Sequence, residues 1–424
     1  MVEATSVPVD VGRPRSLPRW LSVRTVVITL TVLLLIYLVV VPLGFLIYGS
    51  FSTASPGFAG VLTFHTYAEI LTEQATWKMV WTSLIYGVGA SVVALIIGGT
   101  LAWLVQRTDI PGRRVVTFLI LVPMFIPEVL TALAWVELLD KRVGVINVWF
   151  EDLFGLHHAL FAVESLPGMI WVTGVAQCPL IFLWLLPAFT TMDPSLEEAG
   201  SMSGRSPIRV LLTITLPLMR PAILAAFLVS FVLAIEDIVV PVLIGDQANI
   251  TVFANAIYNN ISTVPSNDNA ASVQSVLLLV LTFGLALWHR RLTSRNERYV
   301  TVRGKGFRPK IIGLGRMRTP IACGVFLVLA VIVGVPVLIL IWTSLTPYVQ
   351  TPSWSGLHHL TTQWYGSLFS DQTLVGGLKA SGLVSLASTL IVLVLALVIG
   401  WVLIRSRSRH TYALDALSFA RNQR

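Results

Sequence analysis

Residues 193–217 read DPSLEEAGSMSGRSPIRVLLTITLP, a run whose acids, glycines and prolines are spaced to build a short helix with a defined start and stop. Asp193 is a good N-cap and Pro194 a good first helical residue, since one supplies an acceptor and the other lacks a donor that would go unpaired. Glu197 and Glu198 fall where negative charge complements the helix dipole. Ser195 and Glu198 have capping-box spacing, and Gly204 and Pro207 supply the stop. The product is a helix of about ten residues. Ala199 and Gly200 are small enough for another protein's surface to approach its backbone, which would make it a docking element; a plain surface connection carries the same punctuation. Beyond it, Arg205 and Arg209 precede an apolar helix whose start is kinked or loosened by Pro217 and Pro221. The function on offer is recognition, and no catalytic residue is expected.

A second group of candidates lies in apolar surroundings. Pro123, Pro127 and Glu128 belong to the run VTFLILVPMFIPEVLTALAW. Read as one helix over 116–139, it sets Glu128 about 18 Å along the axis, near the membrane centre. A charged carboxylate there costs roughly 2.5–3.5 kcal/mol, so it should face the bundle interior or water. The two prolines free backbone carbonyls beside it. Glu128 then either lines a transport pathway or is a hydrogen-bonded structural acid. Glu236 and Asp237 fall near the outward end of a later run; two adjacent acids could attract a cation, but solvation of a loop start is the expectation. His157 and His158, like His358 and His359, are adjacent and their side chains diverge, so no metal site is expected. Cys178 and Cys323 lie on separate apolar runs and read as packing residues.

Apolar helices must carry these residues. The chain has 424 residues, 55% hydrophobic and 12% charged, where a soluble domain would have roughly a quarter charged, and this excludes an ordinary soluble enzyme. A helix needs about 20 apolar residues to cross the hydrocarbon core. Eight runs qualify, at 26–51, 80–105, 116–139, 168–190, 218–241, 269–288, 320–345 and 380–404. Backbone groups in lipid must bond within their own segment, and the alternation of a β-barrel is missing. The expected fold is all-α, a polytopic bundle of about eight transmembrane helices. The first run is too long for a signal-peptide core and no small-residue cleavage site follows it, so it reads as a retained anchor. Of the 29 Lys and Arg residues, all but Lys78, Lys141, Arg142 and Lys379 fall at the chain ends or in alternate connections. By the positive-inside rule both termini are cytoplasmic. The net charge of +8 is thereby a matter of topology, and no nucleic-acid role is expected.

The chain also repeats itself. VVPLGFLIYGSF, ending at Phe51, aligns with VGVPVLILIWTSL, ending at Leu345, at an offset of 294, with Pro42 on Pro336 and Ser50 on Ser344. Farther on the offset is 298, with Ser83 on Ser381, Trp103 on Trp401 and Arg107 on Arg405. Four domains of sequence follow: a cytoplasmic segment 1–25, a first half 26–290, a basic linker 291–319 and a partial second half 320–424. Counterparts of four spans are absent from the second half, so the expectation is a truncated product or a missing half supplied by a second polypeptide.

Glu198, Ala199, Gly200, Gly204, Ile214, Leu216 and Pro217 resemble, in identity and spacing, the E-A-A, three residues, G, nine residues, I-x-L-P signature of ABC-importer permease subunits. Gly200 departs from it, standing where Ala is usual, at a helix cost of about 1 kcal/mol. The resemblance implies a type I ABC-importer permease fold in a bacterial inner membrane. It also implies that the short helix is a coupling helix seated on cytoplasmic ATPase subunits, with an extracytoplasmic solute-binding protein as further partner. The chain has no G-x-x-x-x-G-K-S/T phosphate loop. ATP and Mg would be bound by the partner, and this chain would hold no cofactor. FVLAIEDIVVPVLIGDQANITVFANAIYNNI, from Phe231, and GVINVWFEDLFG, from Gly144, look like the iron(III)-type permeases, commonly two fused halves. Thiamine, 2-aminoethylphosphonate and polyamine permeases are near relatives of that type. An ion-coupled secondary transporter using Glu128, and an inert fragment, are the readings of another class.

Overall fold

The computed structural model describes residues 23–54, 60–155, 158–192, 195–294 and 311–405. Asp193, Pro194, His157, most of the basic linker and the tail beyond Arg405 lie outside these residues. Sixteen α-helices follow one another among the described residues, with two isolated β-bridges and no sheet. Seven helices are long and apolar enough to cross a membrane, and one sharply bent pair makes an eighth if counted as a single span.

The chain divides into two units. Residues 46–368 form the larger; the other comprises the chain up to Phe45 and from Phe369 onward, and so contains most of helix α1 (Val23–Phe51) and helix α16 (Gln372–Arg405). In the larger unit, α3 (Gln74–Arg107) packs along α7 (Leu166–Thr191), and α10 (Leu216–Glu236) packs on both. The most apolar window of α7 is 61% buried, against 44% for α3 and for the α10 span, which places α7 at the centre. Close approach of α3 and α7 depends on Gly98, where an added Cβ would stand 2.6 Å from the Cys178 carbonyl oxygen. The seam is filled by Tyr86, Ala94, Leu101, Phe182 and Leu185. Cys178 is buried in it, whereas Cys323 is exposed, so the packing role expected of the second cysteine is corrected.

The third apolar run is not one helix. Helix α4 (Arg113–Leu121) continues through a 3-10 turn, Val122–Phe125, and the chain then bends by 101° into α5 (Glu128–Leu139). Pro127 is the cause: it has no N–H to give, and its ring forces the preceding Ile126 into extended backbone, φ −96° and ψ 126°. Glu128 is accordingly the first residue of a helix and not a mid-helix residue 18 Å along one, as about 1.5 Å per residue had implied.

Proline also shapes the other spans. A π turn at Leu211–Thr215 precedes Pro217, and another at Ala330–Gly334 precedes Pro336. In each, the last N–H before the proline reaches back five residues, Leu216 to the Leu211 carbonyl and Val335 to that of Ala330. A residue that cannot donate shifts the hydrogen-bond register ahead of it.

The sequence repeat has a structural counterpart. Helices α2 (His65–Thr72) and α3 recur at an offset of 298 as α15 (Gln363–Ser370) and α16, and α1 and α14 (Val335–Leu345) end 294 apart. The Thr63 N–H donates to the Phe51 carbonyl at 2.7 Å, and the Thr361 N–H donates to that of Leu345 at 2.7 Å. The Tyr67 hydroxyl donates to Ser50 Oγ at 2.8 Å, as Tyr365 does to Ser344 at 2.8 Å.

Candidate functional site

Two polar constellations stand out in the larger unit. The first surrounds the short helix after α7. This helix, α8, runs Ser195–Met202, eight residues against the ten expected. Gly204 ends it with φ +76° and open space around its Cα, a left-handed conformation that glycine adopts without strain. A short helix α9 (Pro207–Val210) then leads through the π turn into α10, with Leu216 and Pro217 as its first two residues.

The two faces of α8 differ. Ala199 and Met202 are exposed and Glu198 is half-buried. Gly200 points the other way: a Cβ on it would meet Ile214 Cδ1 at 2.6 Å. The expectation that Gly200 is small so that a partner can approach is therefore corrected. Its smallness admits Ile214, another residue of the same signature, and only the Ala199 side is open to a partner. Glu197 shares the inward face, three residues before Gly200. Its Oε2 lies 3.5 Å from Arg107 Nη1, with the two side chains 7% and 0% exposed. Its Oε1 accepts a hydrogen bond from the Thr215 hydroxyl at 2.7 Å, and Arg107 Nη2 donates to the Met192 carbonyl at 3.4 Å. The helix is thus tied to the C-terminal end of α3 and to the start of α10. Sequence reading missed Arg107 as a site residue, because an arginine closing an apolar run looks like an ordinary topology marker.

The second constellation lies where α3, α7 and the end of α10 meet. The Tyr86 hydroxyl is 2.6 Å from Thr173 Oγ1 and donates to Asp237 Oδ2 at 3.0 Å, with Thr173 donating to the same oxygen at 3.4 Å. Asp237 Oδ1 accepts from the Val239 N–H at 2.8 Å. Asp237 is half-buried and held by hydroxyls, which corrects the solvated role expected of it; Glu236 beside it is exposed. Glu128, at the α5 N-terminus, is exposed and near enough to Asp237 for the two carboxylates to repel. Pro127 lends its carbonyl to the N–H groups of Leu130 and Thr131, and Pro123 lends its own to Ile126. Among the described residues, no Lys or Arg takes part in this cluster. Tyr86 and Thr173 were not singled out beforehand; a lone Tyr and Thr in apolar helices give no pattern to find.

Outside the spans, burial pushes the Asp140 carboxyl up, but hydrogen bonds from the Val143 and Arg142 N–H groups outweigh it and hold the group below its ordinary range. His358 and His359 lie in a 3-10 turn, and no group of three metal-ligating side chains occurs among the described residues.

Residues 94–299 match the family described as binding-protein-dependent transport system inner membrane component. The sulfate transport system permease protein CysW of Escherichia coli is 23% identical over 303 residues, 70% of this chain and 97% of that protein. The sn-glycerol-3-phosphate transport system permease protein UgpA of Yersinia pestis is 25% identical over 251 residues, 58% of this chain and 83% of that one. Among solved structures, a bacterial ABC transporter involved in the import of the acidic polysaccharide alginate superposes with a TM-score of 0.52 at 17% identity, covering 64% of this chain and 95% of that chain. Over residues 94–299, with its all-helical spans and the signature loop folded as described, the chain is similar to the binding-protein-dependent transport system inner membrane components, and its curated relatives are permease proteins of such systems.

Proposed function

We propose that the chain couples ATP hydrolysis by separate cytoplasmic subunits to passage of iron(III) across a bacterial inner membrane, its termini on the cytoplasmic side. The observation that carries the coupling is α8: a capped helix with an outer face open at Ala199 and Met202 and an inner face locked to α3 and α10. Docking of an ATPase on the outer face would move both transmembrane helices. ATP and Mg belong to that partner, and cargo would be delivered by an extracytoplasmic binding protein.

A second permease half is a further partner in this reading. Helix α3 is buried against α7 and α10, while the most apolar window of α16, its repeat counterpart, is unburied throughout. Positions facing α7 and α10 in the first copy, Gly87, Gly89 and Gly98, correspond to Ser385, Ala387 and Ala396, all small enough for close helix contact.

The cationic cargo is supported by two acids, Asp237 held by hydroxyls and the exposed Glu128 near it, with no base among the described residues joining them. Sulfate or a phosphate ester, the cargoes named for relatives, would meet like charge there. Glu198→Ala and Gly204→Asp should each abolish ATP-dependent uptake without preventing membrane insertion. Normal uptake by both would remove the coupling role of α8. Radiolabelled iron(III), sulfate, thiamine, 2-aminoethylphosphonate and spermidine, offered in turn to cells carrying the full transporter, decide the cargo. Uptake that survives deletion of the ATPase genes and collapses with an uncoupler would replace this reading by a proton-coupled one through Glu128.

A further inference from the structure

The last residue of α3, Arg107, and the short segment that follows it are held from two sides. On one side, the Arg107 guanidinium holds Glu197 of α8, as described. On the other, the segment pairs by backbone with the end of the basic linker. The Ile312 N–H donates to the Arg107 carbonyl at 2.8 Å and the Asp109 N–H to the Ile312 carbonyl at 3.2 Å, a parallel bridge centred on Thr108. The Asp109 side chain completes the seam: Oδ1 accepts from the Leu314 N–H at 2.8 Å, and Oδ2 lies 3.7 Å from Nε of Arg318, the first residue of helix α13 (Arg318–Leu329). Just beyond, a Cβ on Gly112 would stand 3.0 Å from the ring of Phe326, so α13 also packs directly on this turn.

The same few residues therefore grip α8 through a buried ion pair and the start of the second repeat copy through backbone bonds. Backbone pairing is not released by a side-chain rotation, and a buried pair cannot be parted without leaving one charge unmatched. We infer that Arg107–Asp109 is a positioning hub that makes α8 and the linker ahead of α13 move as one body, carrying motion of the docking helix straight to the second half. This rests on the importer reading given above.

Spin labels test it in the full transporter. Ser203→Cys and Met317→Cys, introduced with Cys323→Ser, place one label at the end of α8 and one on the linker. Ser203→Cys with Val264→Cys, the latter 98% exposed in the α11–α12 turn, gives a control pair across the molecule; α11 is Phe253–Ser262 and α12 Asp268–Ser294. The expectation is a single sharp Ser203–Met317 distance that stays unchanged between nucleotide-free and vanadate-trapped states, while the control distance shifts. In Glu197→Gln, which keeps an acceptor for Thr215 but loses the charge, the Ser203–Met317 distribution should broaden. Exchange of the two residues, Arg107→Glu with Glu197→Arg, should sharpen it again, a rescue that a purely steric role would not give. A Ser203–Met317 distance that changes along with the control overturns the hub and leaves the importer reading standing. An unaltered distribution in Glu197→Gln also overturns it. If neither pair responds to nucleotide, the importer reading fails and the hub falls with it.

Discussion

The two polar constellations differ in the charges that face one another. At the C-terminal end of α3, an acid faces a base: Glu197 and Arg107 neutralise each other, with Thr215 and the Met192 carbonyl taking further bonds. Where α3, α7 and α10 meet, the acids face hydroxyls, a backbone N–H and one another: Asp237 is held by Tyr86, Thr173 and the Val239 N–H, and Glu128 adds a second negative charge nearby. A pair whose charges cancel is useful as a strut. An acid cluster without a counter-charge leaves a demand that something arriving can meet. Under the proposed function, the first would transmit force and the second would meet the transported species.

The largest effect is expected at the strut. Arg107→Ala leaves Glu197 buried without its partner, and losing one member of such a pair costs roughly 3–5 kcal/mol. A marked fall in the melting temperature of the detergent-purified protein would show it. Replacing both residues by apolar ones of similar volume, Arg107→Met with Glu197→Leu, should recover most of that stability, because the desolvation cost of the pair is removed with the pair. If the double variant melts as low as the single one, the strut is more than a charge pair.

Asp237→Asn should do the reverse. The amide oxygen can still accept from Tyr86 and Thr173, but the NH2 then stands where Oδ1 accepted from the Val239 N–H, so stability should fall by only about 1–2 kcal/mol. Uptake should fall at least about tenfold, since a charge-assisted contact is worth roughly 1.5 kcal/mol or more. Loss of stability with intact uptake per folded molecule would break the contrast, making Asp237 structural as well. Glu128→Gln should reduce uptake less, about two- to fivefold, because the carboxylate at the α5 N-terminus is exposed and part of its interaction, about 0.3–1 kcal/mol, is with the helix dipole.

These two sites were unequally legible in the sequence. Hydropathy carries the number of spans, because twenty uncharged residues in a row have few alternatives to a membrane. It does not carry direction, and so the 101° bend at Pro127 was invisible to it, although two prolines four apart were the local signal. Helix α8 was readable because caps and stops act within a few residues: Gly204 does adopt the left-handed conformation its place implies. Glu197 was readable as a first-turn acid and unreadable as a partner of Arg107, since contacts between distant segments leave no mark in either. The three-residue step from Glu197 to Gly200, which puts them on one face, was the available hint that Gly200 looks inward. Asp237 was named as an acid that could attract a cation, but its partners went unread for the same reason as Arg107's: Tyr86 and Thr173 come from two other helices.

Gly200→Ala, the smallest change, asks how tight the strut region is away from its charges. Alanine is the usual residue of the signature at this position and should gain about 1 kcal/mol of helix propensity. Against this, its Cβ would meet Ile214 Cδ1 at 2.6 Å, and 3.4 Å from Val210 Cγ2. The first contact is too close to persist, but Cδ1 is the far end of a flexible chain, and Ile214 is only half-buried beside a π turn whose register is already loosened. A rotamer shift there costs of order 0.5–1.5 kcal/mol. Gain and loss nearly cancel, so melting temperature and uptake should both stay close to those of the parent. A large loss would mean that the apolar side of α8 is as unyielding as the ion pair, and that the helix is held to α10 along its whole inner face.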